Sequence, residues 1–301
     1  MNILITGGTG MLGRALCAVL LAEGHQLTVL SRQPAKVAKL CGASVQAFAS
    51  LDDWRPGVHF DAVINLAGAQ ILDFPWTEVR KHALWASRIT LTEQLTAAIA
   101  RAERKPSVLL SGSAIGYYGD CGEAPCSDAF AVPNPSAHDF GARLCAAWEN
   151  AASQATGWGV RVCLLRTGLV LARQGGLLAR MRLPFKLGLG ARLGDGLQWM
   201  SWIHIDDWVG AVLALLRTES ACGAFNLTAP QPVRNIEFTT TLGRSLNRPT
   251  PFTLPTVLLQ LALGQRAYLL LGGQRVLPER LQAISYRFQQ PSLPEALRGL
   301  A

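Results

Sequence analysis

Ser113, Tyr117 and Tyr118 stand together in the run SAIGYYGD (residues 113–120), directly after an apolar segment of strand character. A hydroxyl followed by phenols at such a point can polarise a carbonyl and deliver a proton, as a reductase requires. A phenol has a pKa of about 10, so only about 0.1% is ionised at pH 7. The usual remedy is a lysine four residues on. Here Cys121 stands at that spacing from Tyr117, and Gly122 from Tyr118. Any chemistry these residues carry must use a neutral phenol as donor. The alternative role for the two tyrosines is an aromatic wall packing the pocket.

The source of reducing equivalents is suggested at the start of the chain. NILIT (residues 2–6) reads as a buried strand. It runs into Gly7-Gly8-Thr9-Gly10-Met11-Leu12-Gly13, then into the helical stretch RALCAVLLAEG with Gly24 as its stop. In such a strand–glycine–helix unit the first glycine permits the tight turn. The second lets the backbone approach a pyrophosphate, and the third lets helix and strand pack closely. The helix N-terminus then presents its free N–H groups to phosphate. A second strand, HQLTVLSR, ends in Ser31-Arg32, where an NAD site would carry an acid. Arg32 either grips a 2′-phosphate or is merely solvated. As a grip it contributes about 1.5–3 kcal/mol, about tenfold to a hundredfold in affinity. The cofactor expected is NADP(H).

These groups need a scaffold, and the strand signals supply one. DAVINLAGA (61–69), PSVLLSGSA (106–114) and GVRVCLLRTGLVL (159–171) alternate with helical stretches. The fold expected is α/β, a Rossmann-like doubly wound parallel sheet with helices on both faces and a smaller C-terminal substrate lobe. Residues 1–171 form the dinucleotide-binding domain, with 202–230 returning to it, and 172–201 plus 231–301 form the lobe. Ligands bind at the carboxyl ends of such strands. The small loop Leu66-Ala67-Gly68 falls at one such end, where a bulky side chain would block a cofactor. The late segment TVLLQLALGQRAYLLLGG reads as a buried helix pair broken at Gln265-Arg266.

Composition narrows the functional classes. Half of the 301 residues are apolar and 16% charged, enough for a large core and too few charges for disorder. No uninterrupted apolar run of about 20 residues occurs, so no membrane span is expected. MNILITGG opens directly as strand and loop, so no signal peptide is expected either. The seven cysteines are odd in number and lack a C-x-x-C, which suits reduced thiols in a cytoplasm. The five histidines show no metal-ligand spacing, and no metal is expected. The net charge of +8 is scattered without aromatic interleaving, so nucleic acid is not the expected partner. The expected partner is a small molecule, with a homodimer as the oligomer to consider and no membrane.

TGGTGMLG, SR, NLAGA and SAIGYYG resemble the extended short-chain dehydrogenase/reductase superfamily in its sugar-nucleotide epimerase-like branch. RTGLVL, PFKLGLG, LGDGLQWMSWIHIDD, NLTAP and LPERL are similar to an atypical subgroup of it, the "epimerase family protein" type with a C-terminal domain of unknown function. Some relatives carry the label of cell-division inhibitor. The resemblance covers essentially the whole chain. It implies 2′-phosphate contacts at Ser31 and Arg32, a loop under the adenosine diphosphate at Leu66 and Ala67, a cofactor-side helix motif at Ser87-Arg88, and Val170 near the nicotinamide. The alternative for Arg88 is a helix-surface ion pair. The superfamily's Tyr-x-x-x-Lys falls on Phe140 and Leu144, so its proton relay is missing, while its serine is matched by Ser113 and a substrate-side tyrosine by Tyr118. His204, within WIHIDDW, lies in a segment that touches substrate in relatives, or packs; Gln198 and Trp202 are further lining candidates. Two functions follow. One is an NADP(H)-dependent oxidoreductase or epimerase acting on a small carbonyl or sugar-like substrate. The other is an NADP(H)-sensing regulatory protein, linked to cell division, that has lost its catalytic pair.

Overall fold

The run NILIT forms β1 (Asn2–Thr6), buried at every residue after the first. A strand covered on both faces needs such continuous hydrophobicity. The computed structural model, which describes residues 1–129 and 139–300, pairs it into a seven-stranded sheet. The other members are β2 (Gln26–Leu30), β3 (Gln46–Phe48), β4 (Ala62–Asn65), β5 (Val108–Ala114), β6 (Arg161–Thr167) and β7 (Gly223–Leu227). Their order is β3-β2-β1-β4-β5-β6-β7, and every neighbouring pair is parallel. Strand order reverses between β1 and β4, the place where an open parallel sheet leaves a crevice at its carboxyl edge.

The principal helices are α1 (Met11–Ala22), α2 (Leu91–Arg101), α3 (Phe140–Ser153), α4 (Gly176–Lys186), α5 (Ile205–Arg217), α6 (Asn235–Ser245), α7 (Thr256–Leu263) and α8 (Leu293–Arg298). Alternation along the strands divides the core. Ile3, Ile5 and Ile64 pack with Leu16 and Leu20 of α1 and Trp208 and Val212 of α5. Leu4, Val63 and Leu109 point the other way, onto Leu95 and Ile99 of α2 and Ala152 of α3. The sheet is thus covered by helices on both faces.

A third cluster, including Phe185, Trp202, Phe238 and Leu297, forms a smaller lobe from the latter part of the chain. Short strand pairs tie the two parts together. Trp202–His204 runs beside Leu169–Leu171, and Arg275–Leu277 beside Pro125–Ser127. Asp207 of α5 is fully buried and accepts from the backbone N–H groups of Gln289 (2.7 Å) and Gln290 (2.8 Å) and from the Tyr286 hydroxyl (3.1 Å). It pins the C-terminal segment to the Rossmann part, and burial beside this carboxylate pushes the Tyr286 phenol well up.

One expectation is corrected. The segment 256–273 is helical over 256–271, but α7 is not buried: of its eight residues Leu259 alone is, and Leu261 is 78% exposed. Its apolar residues run all round the helix, so no single face pairs with the lobe. Gly264, at φ +55°, ends it.

Candidate functional site

The glycine run and the loop after β4 meet at the β1/β4 switch. Gly7 has φ +71°, and a Cβ there would lie 2.6 Å from the carbonyl carbon and oxygen of Leu66. Glycine is therefore required both by the turn and by the close approach of the two loops. At Gly13 a Cβ would come 2.4 Å from the Gly7 carbonyl oxygen, so the first turn of α1 packs directly on the loop. Gly10 caps α1 with no side-chain hydrogen bond, which leaves the first amides of the helix free for an anion.

Between these loops lies a cleft of about 1170 Å³. Gly7, Thr9, Gly10, Leu66, Ala67 and Gly68 form its floor, and Ser31 and Arg32 stand at one end. Lys36, in the short turn Pro34–Lys36, adds a second cation there. Among the described residues no acidic side chain lines the cleft. Lys36 escaped the sequence reading; its only signal is a cation four residues after Arg32.

The other expected cofactor residues Gly8, Met11, Leu12, Arg88 and Val170 do not line this cleft, and Met11 lines a separate crevice. Gly8 abuts Val29, with a would-be Cβ 2.7 Å from its Cγ2. Leu12 packs on the core, and Val170 is buried within it. Met11 turns towards Gly175, its Sδ 3.0 Å from a would-be Cβ there. Arg88 lies beneath the Gly68 loop, its Cζ 2.9 Å from a would-be Cβ on Gly68 and 5.2 Å from the Trp148 ring centroid. It donates hydrogen bonds to the Leu84 carbonyl and the Ser87 hydroxyl, both at 3.4 Å. It has no carboxylate partner among the described residues, so the surface ion pair weighed for it is not formed. Burial lowers its pKa.

Ser113 lies near the end of β5, which pairs with β4 so that Ser111 stands beside Asn65, and it is not itself a lining residue of the cleft. Its hydroxyl donates to Oε1 of Glu149 on α3 at 2.7 Å. Glu149 also takes two hydrogen bonds from Arg166 of β6, at 2.8 and 2.9 Å. Nη1 of Arg166 donates to the Tyr118 hydroxyl (3.2 Å), which donates to Oδ1 of Asn226 on β7 (2.7 Å). Asn226 is held in turn by Asp128, whose carboxylate accepts its backbone N–H at 2.6 Å. Ser113, Glu149, Arg166 and Tyr118 are all buried. Burial pushes the Tyr118 phenol up to about 12 and raises the Asp128 carboxyl.

Tyr117 is placed differently. It is half-buried, and its hydroxyl has no hydrogen-bond partner among the described residues. The Arg166 guanidinium lies 3.6 Å from its ring centroid, and the Tyr118 ring meets it edge-on at 5.8 Å. Of the three expected hydroxyls, Tyr117 alone has its proton uncommitted among the described residues.

Phe140 and Leu144 occupy an apolar cluster away from Ser113. Phe140 meets Trp76 edge-on at 5.1 Å, and Leu144 packs with Leu84 and Trp148. The face of α3 turned to β5 carries Glu149 and Cys145, the latter with its Sγ 3.8 Å from a would-be Cβ on Gly116. Burial pushes the Cys145 thiol up to about 12.

The three residues expected to line a substrate pocket are dispersed. Trp202 is wholly inside the lobe core, its indole N–H bonded to the Gln231 carbonyl, and has no surface to offer. Gln198 bridges the carbonyls of Leu193 and Leu270, both at 3.1 Å, and so braces the lobe. His204 caps α5, accepting at Nδ1 from the Asp206 amide (3.2 Å), and lines a separate crevice of about 590 Å³ with Arg14 and Arg173.

The NAD dependent epimerase/dehydratase family matches residues 3–227. The chain belongs to this family. Residues 254–300 match a domain of unknown function, DUF1731, so this member joins an epimerase-type domain to that C-terminal unit. An epimerase family protein of Mycobacterium bovis is 41% identical over 98% of this chain and 96% of its own. One from Staphylococcus aureus is 38% identical, over 99% and 98%. The crystal structure of human epimerase family protein SDR39U1 with NADPH is similar over 100% of this chain and 99% of that one, with 34% identity and a TM-score of 0.88. UDP-glucuronic acid 4-epimerase of Bacillus cereus, with NAD, shares the fold at 16% identity, 99% and 96% coverage and a TM-score of 0.77. No helix among the described residues is long and apolar enough to cross a membrane. No group of His, Cys, Asp or Glu among them has the arrangement to hold a metal ion.

Proposed function

We propose that this chain is an NADP(H)-dependent oxidoreductase or epimerase acting on a small carbonyl or sugar-like substrate. The observation that carries the reading is the acid-free cleft. Arg32 and Lys36 stand at the end of β2, and no carboxylate is present to meet a ribose 2′-hydroxyl. That end suits a phosphate, and the glycine floor admits a pyrophosphate against the amides of α1. The human relative was crystallised with NADPH, which agrees with this choice.

The bound cofactor would supply or accept a hydride. The chain's own part is proton handling and orientation. Tyr117 donates its free hydroxyl to the substrate oxygen as a neutral phenol, with Arg166 beneath its ring to favour negative charge as the proton leaves. Ser113 has its proton directed to Glu149, so towards a ligand it is an acceptor and holds the alcohol form. Tyr118 and Asn226 fix Arg166 and take no proton.

Fluorescence titration with NADPH and with NADH tests the cofactor, and a screen of carbonyl substrates with the wild-type chain and Tyr117→Phe tests the donor. NADPH bound tightly, NADH weakly, and turnover at least tenfold lower in Tyr117→Phe is the expected result. Failure to bind either dinucleotide would overturn the reading.

A second reading, an NADP(H)-sensing regulatory protein, draws on the closed network. Two of the three hydroxyls donate to buried protein partners, and the superfamily's Tyr and Lys positions hold apolar residues, a partly buried Phe140 and a buried Leu144. Tight NADPH binding without turnover on any substrate tried would favour it.

A further inference from the structure

The corrected segment is part of a larger surface. Residues 191–193 pair in parallel with 252–254, which sets the loop after α4 beside the approach to α7. Arg248 donates from Nε to the Lys186 carbonyl (2.8 Å), and Arg192 from Nε to the Thr253 hydroxyl (2.8 Å), closing the same seam. Along it Leu183, Leu187, Leu189 and Phe252 are 50–66% exposed, and Val257, Leu258 and Leu261 of α7 are 52–78% exposed. Seven large apolar side chains in one neighbourhood exceed the scattered exposure that any soluble surface shows.

Charge on the same surface is one-sided. Residues 183–197 and 244–263 contain Lys186, Arg192, Arg244 and Arg248, against the single carboxylate of Asp195. None of the four cations has a carboxylate partner among the described residues. An apolar helix set among unpaired cations is complementary to an anionic surface with an apolar interior.

We propose that this face, α7 with the seam of Lys186, Arg192 and Arg248, docks on the surface of an anionic phospholipid bilayer. The chain lies on the membrane and does not cross it, since α7 has only eight residues. A second copy of the chain fits less well, because two such faces brought together would oppose four unpaired cations to four more. A protein partner is also less well matched. The patch is built of leucine and valine with one phenylalanine and lacks the tryptophan and tyrosine anchors that protein-binding hot spots favour.

Co-sedimentation of the full chain with vesicles of phosphatidylcholine alone, and of phosphatidylcholine with phosphatidylglycerol, tests the assignment. Binding is expected on the anionic vesicles, weak on the neutral ones, and diminished as salt rises. Leu258→Gln/Leu261→Gln should weaken it at least tenfold while leaving the melting temperature and NADPH affinity unchanged, since both side chains face solvent. Lys186→Gln/Arg248→Gln should weaken it about 25-fold, about fivefold for each cation. Absence of binding to anionic vesicles, or binding indifferent to the leucine pair, overturns the proposal. So does light scattering that finds a dimer which the leucine pair converts to monomer, because the face then belongs to a second copy.

Discussion

Replacement of Glu149 by leucine tests the account of the hydroxyl cluster most directly. The Glu149 and Arg166 side chains are each 8% exposed, and two hydrogen bonds at 2.8 and 2.9 Å join them. Glu149→Leu leaves a guanidinium buried without its counter-charge and the Ser113 hydroxyl without its acceptor. Breaking a buried pair from one side costs about 3–5 kcal/mol. With an unfolding entropy of about 2.1 cal/mol/K per residue over 301 residues, the melting temperature falls by about 5–8 °C. Arg166→Met should cost a similar amount. The double variant Glu149→Leu/Arg166→Met removes both charges together, and a well-packed apolar pair is often neutral or better. It should therefore recover most of the loss, with a coupling of at least about 2 kcal/mol in a double-mutant cycle. Chemical denaturation followed by circular dichroism, with an unchanged slope, measures all three. A Glu149→Leu variant within about 1 kcal/mol of wild type, or a double variant as unstable as the sum of the singles, would refute the claim that the pair holds the cluster in place.

Three further outcomes follow. Arg32→Gln should weaken NADPH binding about tenfold to a hundredfold and leave NADH untouched, and Lys36→Gln should act in the same direction; equal losses for both dinucleotides would place the cations elsewhere. Gly7→Ala should cost at least about 1–2 kcal/mol from its positive φ alone, more from the contact with Leu66, and abolish dinucleotide binding in the same titration. On the alkaline side the Tyr118 phenol is raised from 10.0 to about 12 in the folded chain. Its contribution to stability is fully present below pH about 10 and is lost as pH rises towards 12, about 2–3 kcal/mol in all. Tyr118→Phe should flatten that part of a stability–pH curve, and an identical curve would place the alkaline loss in another group.

Glycine spacing and strand runs made the dinucleotide half of the site readable, because local backbone rules govern it: the turn at Gly7, the packing of Gly13, the small loop at residues 66–68. Sheet class was readable for the same reason, through near-continuous apolar runs separated by helical periods. The other half was opaque. Glu149, Arg166, Asn226 and Asp128 are far apart in sequence, and only the folded sheet brings them to Ser113 and Tyr118. His204 was drawn towards a ligand by the resemblance of WIHIDDW to a substrate-side segment, with Trp202 as a further lining candidate; Trp202 fills the lobe core, and His204 caps a helix beside a separate crevice. The segment 256–273 misled because hydrophobicity reports a preference for leaving water and not which neighbour satisfies it.

Every described residue that lines the cleft lies between positions 6 and 94. The cluster around Tyr118 instead waits for Asn226 on the last strand of the sheet, and for Arg280, whose backbone N–H donates to Asp128 at 3.1 Å. On a ribosome that adds roughly 5–20 residues per second, the nucleotide crevice emerges long before the hydroxyl array can close. A nascent chain thus carries the described lining residues of the cleft before the residues that complete the hydroxyl cluster have been made. The order of synthesis therefore separates the two parts of the candidate site.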